Sequence, residues 1–180
     1  ELSALSQRQS VAGAHRRVGA TAEAARVTAQ HWDPPDAARA AEVGECVQAF
    51  NHKPKEGILL LRARGFLGPE PSAGQGADAA GGVDDADAEA IASFLLHAKG
   101  LRKQRVGDFL GESTEQSRKV VQYYAQAFDF EGVAFVDALR SFLSPFRLPG
   151  EAQKIDRVLT AFAAHFHATN PVVFSCEDTA

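Results

Sequence analysis

Between Phe135 and Phe146 the large apolar side chains return at intervals of three and four: Phe135, Ala138, Leu139, Phe142, Leu143 and Phe146. Such spacing lines up one face of an α-helix and is incompatible with a strand, whose side chains change face at every residue. After a break at Pro149-Gly150 the same face resumes with Ile155, Leu159, Phe162 and Phe166, until Asn170-Pro171 stops it. No segment shows the alternation of apolar and polar residues that a half-buried strand requires, so the pattern predicts an all-α fold of short antiparallel helices.

Other parts of the chain agree. From Ala37 to about Phe50 a helical pattern runs into Asn51-His52-Lys53-Pro54. A second short helix then carries Ile58 to Leu61 up to Gly65, a natural C-cap, and the two read as a helical hairpin. Ile91, Phe94 and Leu95 share one helical face, and Val106, Phe109 and Leu110 share another. Ser113 with Gln116 forms a capping-box pattern ahead of a helix whose Val120, Val121, Tyr124, Ala125 and Phe128 lie on one side.

At 180 residues the chain can build one ordinary core but hardly two. Residues 1–36 are rich in Ala, Arg, Gln and Ser and poor in large apolar residues, which predicts a helix-prone linker or the end of an upstream region. Asp33-Pro34-Pro35-Asp36 marks the boundary, and a domain is expected over 37–180. Within it, residues 68–88 are Gly, Ala, Pro, Ser and Asp with almost no large apolar side chain, a composition expected of a mobile acidic loop. The chain begins at Glu1 and has no Met, which reads as a segment from inside a longer protein or an incomplete gene model. Its first residues match no targeting peptide.

Several kinds of function fall away on composition. The net charge of −4 gives no field for neutralising phosphates, so nucleic acid is not an expected partner. Cys46 and Cys176 are the two cysteines, too far apart in sequence for a zinc spacing, and they fit a reducing, cytoplasmic setting. His165 and His167 lie two apart on a helix, nearly opposite in azimuth, and cannot chelate one metal; packing at the surface or a groove edge is expected of both. Asp129-Phe130-Glu131-Gly132 lacks the alternating acidic ligands of a calcium loop and is read as a helix start. No nucleophilic triad or Gly-rich phosphate loop can be argued, so neither cofactor nor metal is expected.

The function comes from a resemblance. Phe146-Arg147-Leu148-Pro149-Gly150-Glu151-Ala152-Gln153-Lys154-Ile155-Asp156-Arg157 resembles the first signature motif of Sec7 domains, the exchange modules that act on Arf-family small GTPases. Ala138-Leu139-Arg140-Ser141-Phe142-Leu143, Ala161-Phe162-Ala163, Phe109-Leu110-Gly111-Glu112, Phe50-Asn51-His52-Lys53-Pro54-Lys55-Glu56-Gly57-Ile58 and Asp178-Thr179-Ala180 are similar to the family as well, so the resemblance spans roughly residues 42–180. It lies closer to the large Golgi-type factors than to the small ones.

The resemblance implies a Sec7-like right-handed helical superhelix and a guanine-nucleotide exchange factor with no covalent chemistry of its own. The implied partner is an Arf-family GTPase in its GDP-bound and nucleotide-free forms. The setting is the cytoplasm, with peripheral association to Golgi or endosomal membranes only through the parent protein. It places the role of a glutamic finger on Glu151: an inserted carboxylate repels the β-phosphate, competes for the lysine that holds it and disfavours Mg²⁺. Pro149 is expected to pre-set the first helical turn and Gly150 to permit a close backbone approach. Arg147, Leu148, Pro149, Gly150, Ala152, Gln153 and Asp156 are implied to line the GTPase-binding groove; of the motif's polar positions, Arg147, Gln153, Lys154, Asp156 and Arg157, some are expected to hold the loop rather than touch the partner.

Three departures stand out. The family's second motif should begin just after Asp178-Thr179-Ala180, with Asp178 as an N-cap, so half of the groove is expected to be missing. Ser144-Pro145 is expected to kink the helix that leads into the motif. The acidic loop is longer than usual. The alternative is therefore a catalytically incomplete Sec7-like binding or scaffold module.

Overall fold

The computed structural model describes residues 26–27, 37–68 and 84–171. Among these are seven helices: α1 Ala37–His52, α2 Pro54–Ala63, α3 Asp85–His97, α4 Lys103–Leu110, α5 Glu115–Gln126, α6 Phe135–Leu143 and α7 Ala152–Thr169. The extended structure is one short antiparallel pairing, β1 Arg26–Val27 with β2 Phe128–Asp129. The fold is all-α, as the spacing predicts.

The α1–α2 hairpin turns where Pro54 opens α2, its missing N–H falling where the first helical turn has no acceptor to offer. It can close tightly because Gly57 lacks a side chain: a Cβ there would lie 2.5 Å from Phe50 Cα. Gly65 ends α2 as expected, at φ +72°, with its N–H donating to the Arg62 carbonyl at 2.9 Å. Helix α5 runs through the centre and packs on α3, α4 and α7.

Around α5 and α7 the core is a continuous aromatic cluster. Tyr124, Phe128, Phe130, Phe142, Phe162 and Phe166 are buried, and their rings meet edge to face or tilted, with Phe128 and Phe130 stacked, at 5.2–6.1 Å. Phe146 joins this cluster through Tyr124 at 5.8 Å and Phe142 at 5.6 Å. The first residue of the motif is thereby anchored in the aromatic core.

Four expectations change. Residues 85–88 belong to α3 and not to a loop, and Asp87 and Ala88 are buried; residues 69–83 of the expected loop lie outside the described residues, as do 1–25 and 172–180. The cap of α5 is Thr114 and not Ser113, its Oγ1 accepting from Ser117 N at 3.2 Å. Asp129-Phe130-Glu131-Gly132 is a turn: Asp129 Oδ1 accepts from Glu131 N at 3.1 Å, and Gly132 sits at φ +70°. Helix α6 ends at Leu143, so Pro145 follows the helix rather than kinking it, and Phe146 packs from the turn beyond.

Candidate functional site

The motif divides into two anchored flanks and an open tip. On the first flank, Phe146 is buried, Arg147 N donates to the Lys103 carbonyl at 3.0 Å, and Lys103 Nζ donates to the Ser144 carbonyl at 2.7 Å. On the second, the Arg157 guanidinium donates to the Gly111 carbonyl at 2.6 Å, and the Lys154 stem lies across Gly111. Both flanks thus rest on α4 and its C-cap.

The start of α4 is itself held from the hairpin. Asn51 Nδ2 donates to the Gly100 carbonyl at 2.9 Å and its Oδ1 accepts from Arg102 N at 2.7 Å, across a chain reversal that Gly100 permits at φ +92°. A single amide therefore satisfies a donor and an acceptor just before α4 begins.

Between the flanks, Leu148 is half-buried against the core, Pro149 is buried, and Gly150 and Glu151 are exposed. Helix α7 starts at Ala152, so Pro149 stands ahead of the first helical turn rather than in it, and Glu151 is the N-cap residue with extended backbone (φ −95°, ψ 125°). Gly150 makes no close approach: a Cβ there would meet nothing within 4 Å. Its expected role passes to Gly107 and Gly111. A Cβ on Gly107 would collide with the Arg147 carbonyl oxygen, and one on Gly111 would lie 2.6 Å from Lys154 Cβ.

Glu151 does not cap the helix with its side chain. The side chain is 71% exposed and pairs with Lys154 Nζ at 2.9 Å, a contact that holds the lysine's pKa above its ordinary value, first through the hydrogen bond and then through the carboxylate's charge. Such an exposed pair is worth at most about 1 kcal/mol, so the carboxylate can be drawn away from it at small cost.

Arg147, Ala152 and Gln153 are exposed beside Glu151. Asp156 is exposed one turn further along α7 and lines a separate cleft of about 580 Å³ between α5 and α7, with Arg118, Gln122, Thr160 and His165. His165 is half-buried at that cleft, its Nε2 2.8 Å from the Phe128 carbonyl and its ring beside Phe130, while His167 is exposed. No group of His, Cys, Asp or Glu among the described residues could hold a metal ion, and no described helix is long and apolar enough to cross a membrane.

The sequence reading did not single out Asn51, Lys103, Gly107 and Gly111 as supports of the motif. Two glycines four apart on one short helix were a usable signal, because that spacing puts both on one face and invites a close neighbour. The neighbour's identity lies some 40 residues away in the chain and has no local trace.

A helical array that presents one exposed glutamate from a braced Pro-Gly turn has its counterpart among known proteins. The model of the Sec7 domain family matches residues 39–180, and the chain belongs to that family. Over 139 residues it is 43% identical to Brefeldin A-inhibited guanine nucleotide-exchange protein 3 of Arabidopsis thaliana, covering 77% of this chain and 7% of that protein. Over 142 residues it is 43% identical to the ADP-ribosylation factor guanine nucleotide-exchange factor SEC7 of Saccharomyces cerevisiae, covering 79% of this chain and 6% of the relative.

Among solved structures, the Sec7p catalytic domain matches at 42% identity and TM-score 0.61, over 74% of this chain and 65% of that one. The structure of ARF1-GDP bound to a Sec7 domain complexed with Brefeldin A matches at 32% identity and TM-score 0.58, over 73% and 59%. The chain therefore spans 6–7% of these curated relatives and 59–65% of these solved chains.

Proposed function

We propose that this chain is the exchange module of a protein that promotes GDP release from an Arf-family small GTPase, with Glu151 as its glutamic finger. The observation that carries the reading is the placement of Glu151: an exposed carboxylate at the N-cap of α7, between two flanks anchored on α4. The family supports it, since the curated relatives are named as guanine-nucleotide exchange proteins and one solved neighbour is bound to ARF1-GDP. The protein acts as a regulator of the GTPase, in the cytoplasm and peripherally at Golgi or endosomal membranes, without covalent chemistry of its own.

Electrostatics supplies the mechanism. A GTPase holds GDP through Mg²⁺ and through a lysine on the β-phosphate, and a carboxylate brought to about 4 Å of that phosphate adds roughly 4 kcal/mol of repulsion per pair of unit charges at an effective dielectric of about 20. Repulsion of that size corresponds to roughly a thousandfold faster release. Glu151 exchanges its contact with Lys154 for the GTPase lysine, so charge stays paired while the phosphate loses its partner. Arg147, Gly150, Ala152 and Gln153 form the exposed rim around the finger, and Leu148 and Pro149 shape the turn from behind. Asp156 marks the edge of this surface toward the α5–α7 cleft.

The test is GDP release from a purified Arf-family GTPase with the full-length protein and its Glu151→Lys variant. The variant should dock yet keep less than about a tenth of the wild-type acceleration, because charge reversal turns repulsion of the phosphate into attraction; a tenth corresponds to about 1.4 kcal/mol. Retention of more than that assigns Glu151 an ordinary role at a helix start. Binding by the wild type without any acceleration identifies a scaffold instead.

A further inference from the structure

The finger reading leaves open what sets the position of Glu151, since its own side chain touches little. The turn that carries it is tied down at two places, and both lie on one face of α4. Gly107 and Gly111 stand four residues apart and are both buried. Over Gly107 passes the Arg147 carbonyl, so close that no side chain fits beneath it. Over Gly111 lies Lys154, whose Cβ, Cγ and carbonyl oxygen would sit 2.6, 3.2 and 3.2 Å from an added Cβ. Hydrogen bonds to carbonyls of α4 and its C-cap keep these approaches in register: Arg147 N donates to the Lys103 carbonyl on one side, and the Arg157 guanidinium donates to the Gly111 carbonyl on the other.

We propose that the Gly107–Gly111 face of α4 is the positioning element of the finger, setting how far the Glu151 carboxylate projects into the GTPase. The inference rests on the reading of Glu151 given above. A single methyl on Gly111 meets the Cβ of Lys154, not the far end of a flexible chain, so the first turn of α7 must move outward. Glu151 opens that turn and moves with it. Electrostatic action on a phosphate depends steeply on placement, and a shift of about 1 Å in a reacting group can cost roughly a hundredfold in rate. The methyl moves only the first turn of α7 and leaves the rest of the groove in place, so docking should change far less than the rate.

The experiment measures GDP release at increasing concentrations of the full-length protein, which separates the maximal rate from the half-saturating concentration. Gly111→Ala should lower the maximal rate by about tenfold or more while the half-saturating concentration stays within about twofold. In a Glu151→Gln background, Gly111→Ala should change the residual rate by less than about twofold, because a residue that acts through the finger is silent once the finger is gone. Arg157→Lys, which weakens the bond to the Gly111 carbonyl without adding bulk, should show the same pattern in milder form and carries the test if Gly111→Ala does not fold.

An unchanged maximal rate in folded protein overturns the inference. So does a loss that persists in the Glu151→Gln background, which would make the glycine face a matter of stability or docking. Full exchange by Glu151→Gln alone overturns the finger reading itself, a result visible before any glycine variant is made.

Discussion

Of the acidic side chains at the helix starts in this protein, Asp87 and Glu151 are given opposite fates by their surroundings. Asp87, in the first turn of α3, is 4% exposed; its Oδ2 lies 2.7 Å from Arg62 Nη2 and its Oδ1 accepts from Gly68 N at 2.8 Å. Arg62 closes the ring by donating from Nη1 to the Gly68 carbonyl at 3.0 Å. Glu151, at the start of α7, is 71% exposed and touches one lysine three residues away. Both complement a helix N-terminus in the same generic way. What separates them is a partner distant in the sequence: Asp87 has one and is part of the fold, whereas Glu151 is held out by its turn and left available.

The largest effect expected from testing this contrast is at Asp87. Asp87→Ala strands a mostly buried Arg62 and the Gly68 N–H in the segment beyond α2, and breaking a buried pair in this way costs about 3 kcal/mol. Urea unfolding followed by far-UV circular dichroism should show that loss, and a cost under about 1 kcal/mol would mean that the two helix starts differ less than the geometry says. Replacing both partners, Arg62→Met with Asp87→Leu, should recover most of the stability, since no charge is then left alone.

A smaller effect is expected at the tip of the motif. Gly150 has open space around it and is not among the residues at positive φ, so Gly150→Ala meets neither a clash nor backbone strain. The substitution should leave stability unchanged or raise it by up to about 1 kcal/mol through the lost freedom of the unfolded chain. A drop of more than about 1 kcal/mol in the same denaturation experiment would show that the tip is as tightly built as its flanks.

How much of this was legible in the residues follows the same division. Spacing of apolar side chains located α6 and α7, and Pro54 and Gly65 marked the ends of α2, because those signals act within one or two turns. The start of α3 was missed because Asp84 to Asp87 sit among Ala and Gly, and the Arg62 that makes Asp87 worth burying is 25 residues away in the chain. Ser113 and Thr114 offer the same hydroxyl, and only the backbone geometry selects Thr114 as the cap of α5. Glu151 itself was found by the resemblance of its twelve-residue neighbourhood, since a glutamate at a helix start carries no distinguishing mark alone. The glycine face of α4 is the part that a helical pattern hides: Val106, Phe109 and Leu110 announce the core side, and Gly107 and Gly111 show their purpose only when Arg147 and Lys154 arrive above them.

The smallest effect should come from the finger's own contribution to stability. Glu151→Gln removes the charge and weakens the 2.9 Å contact with Lys154, yet that pair is exposed at the carboxylate end and joins residues only three apart, so it adds about 0.5 kcal/mol or less. The Glu151 carboxylate makes no capping hydrogen bond to a helix N–H, so no orphan donor is uncovered by the change. The backbone carbonyl of residue 151, which accepts from Lys154 N and Ile155 N at 3.0 Å each, is untouched. Urea unfolding of Glu151→Gln should therefore coincide with wild type to within about 0.5 kcal/mol, and a Glu151/Lys154 double-mutant cycle should return a coupling no larger than that. A stability loss above about 1 kcal/mol would place Glu151 beside Asp87 as a residue that holds the fold together, and its exposure would then need a structural explanation in place of a functional one.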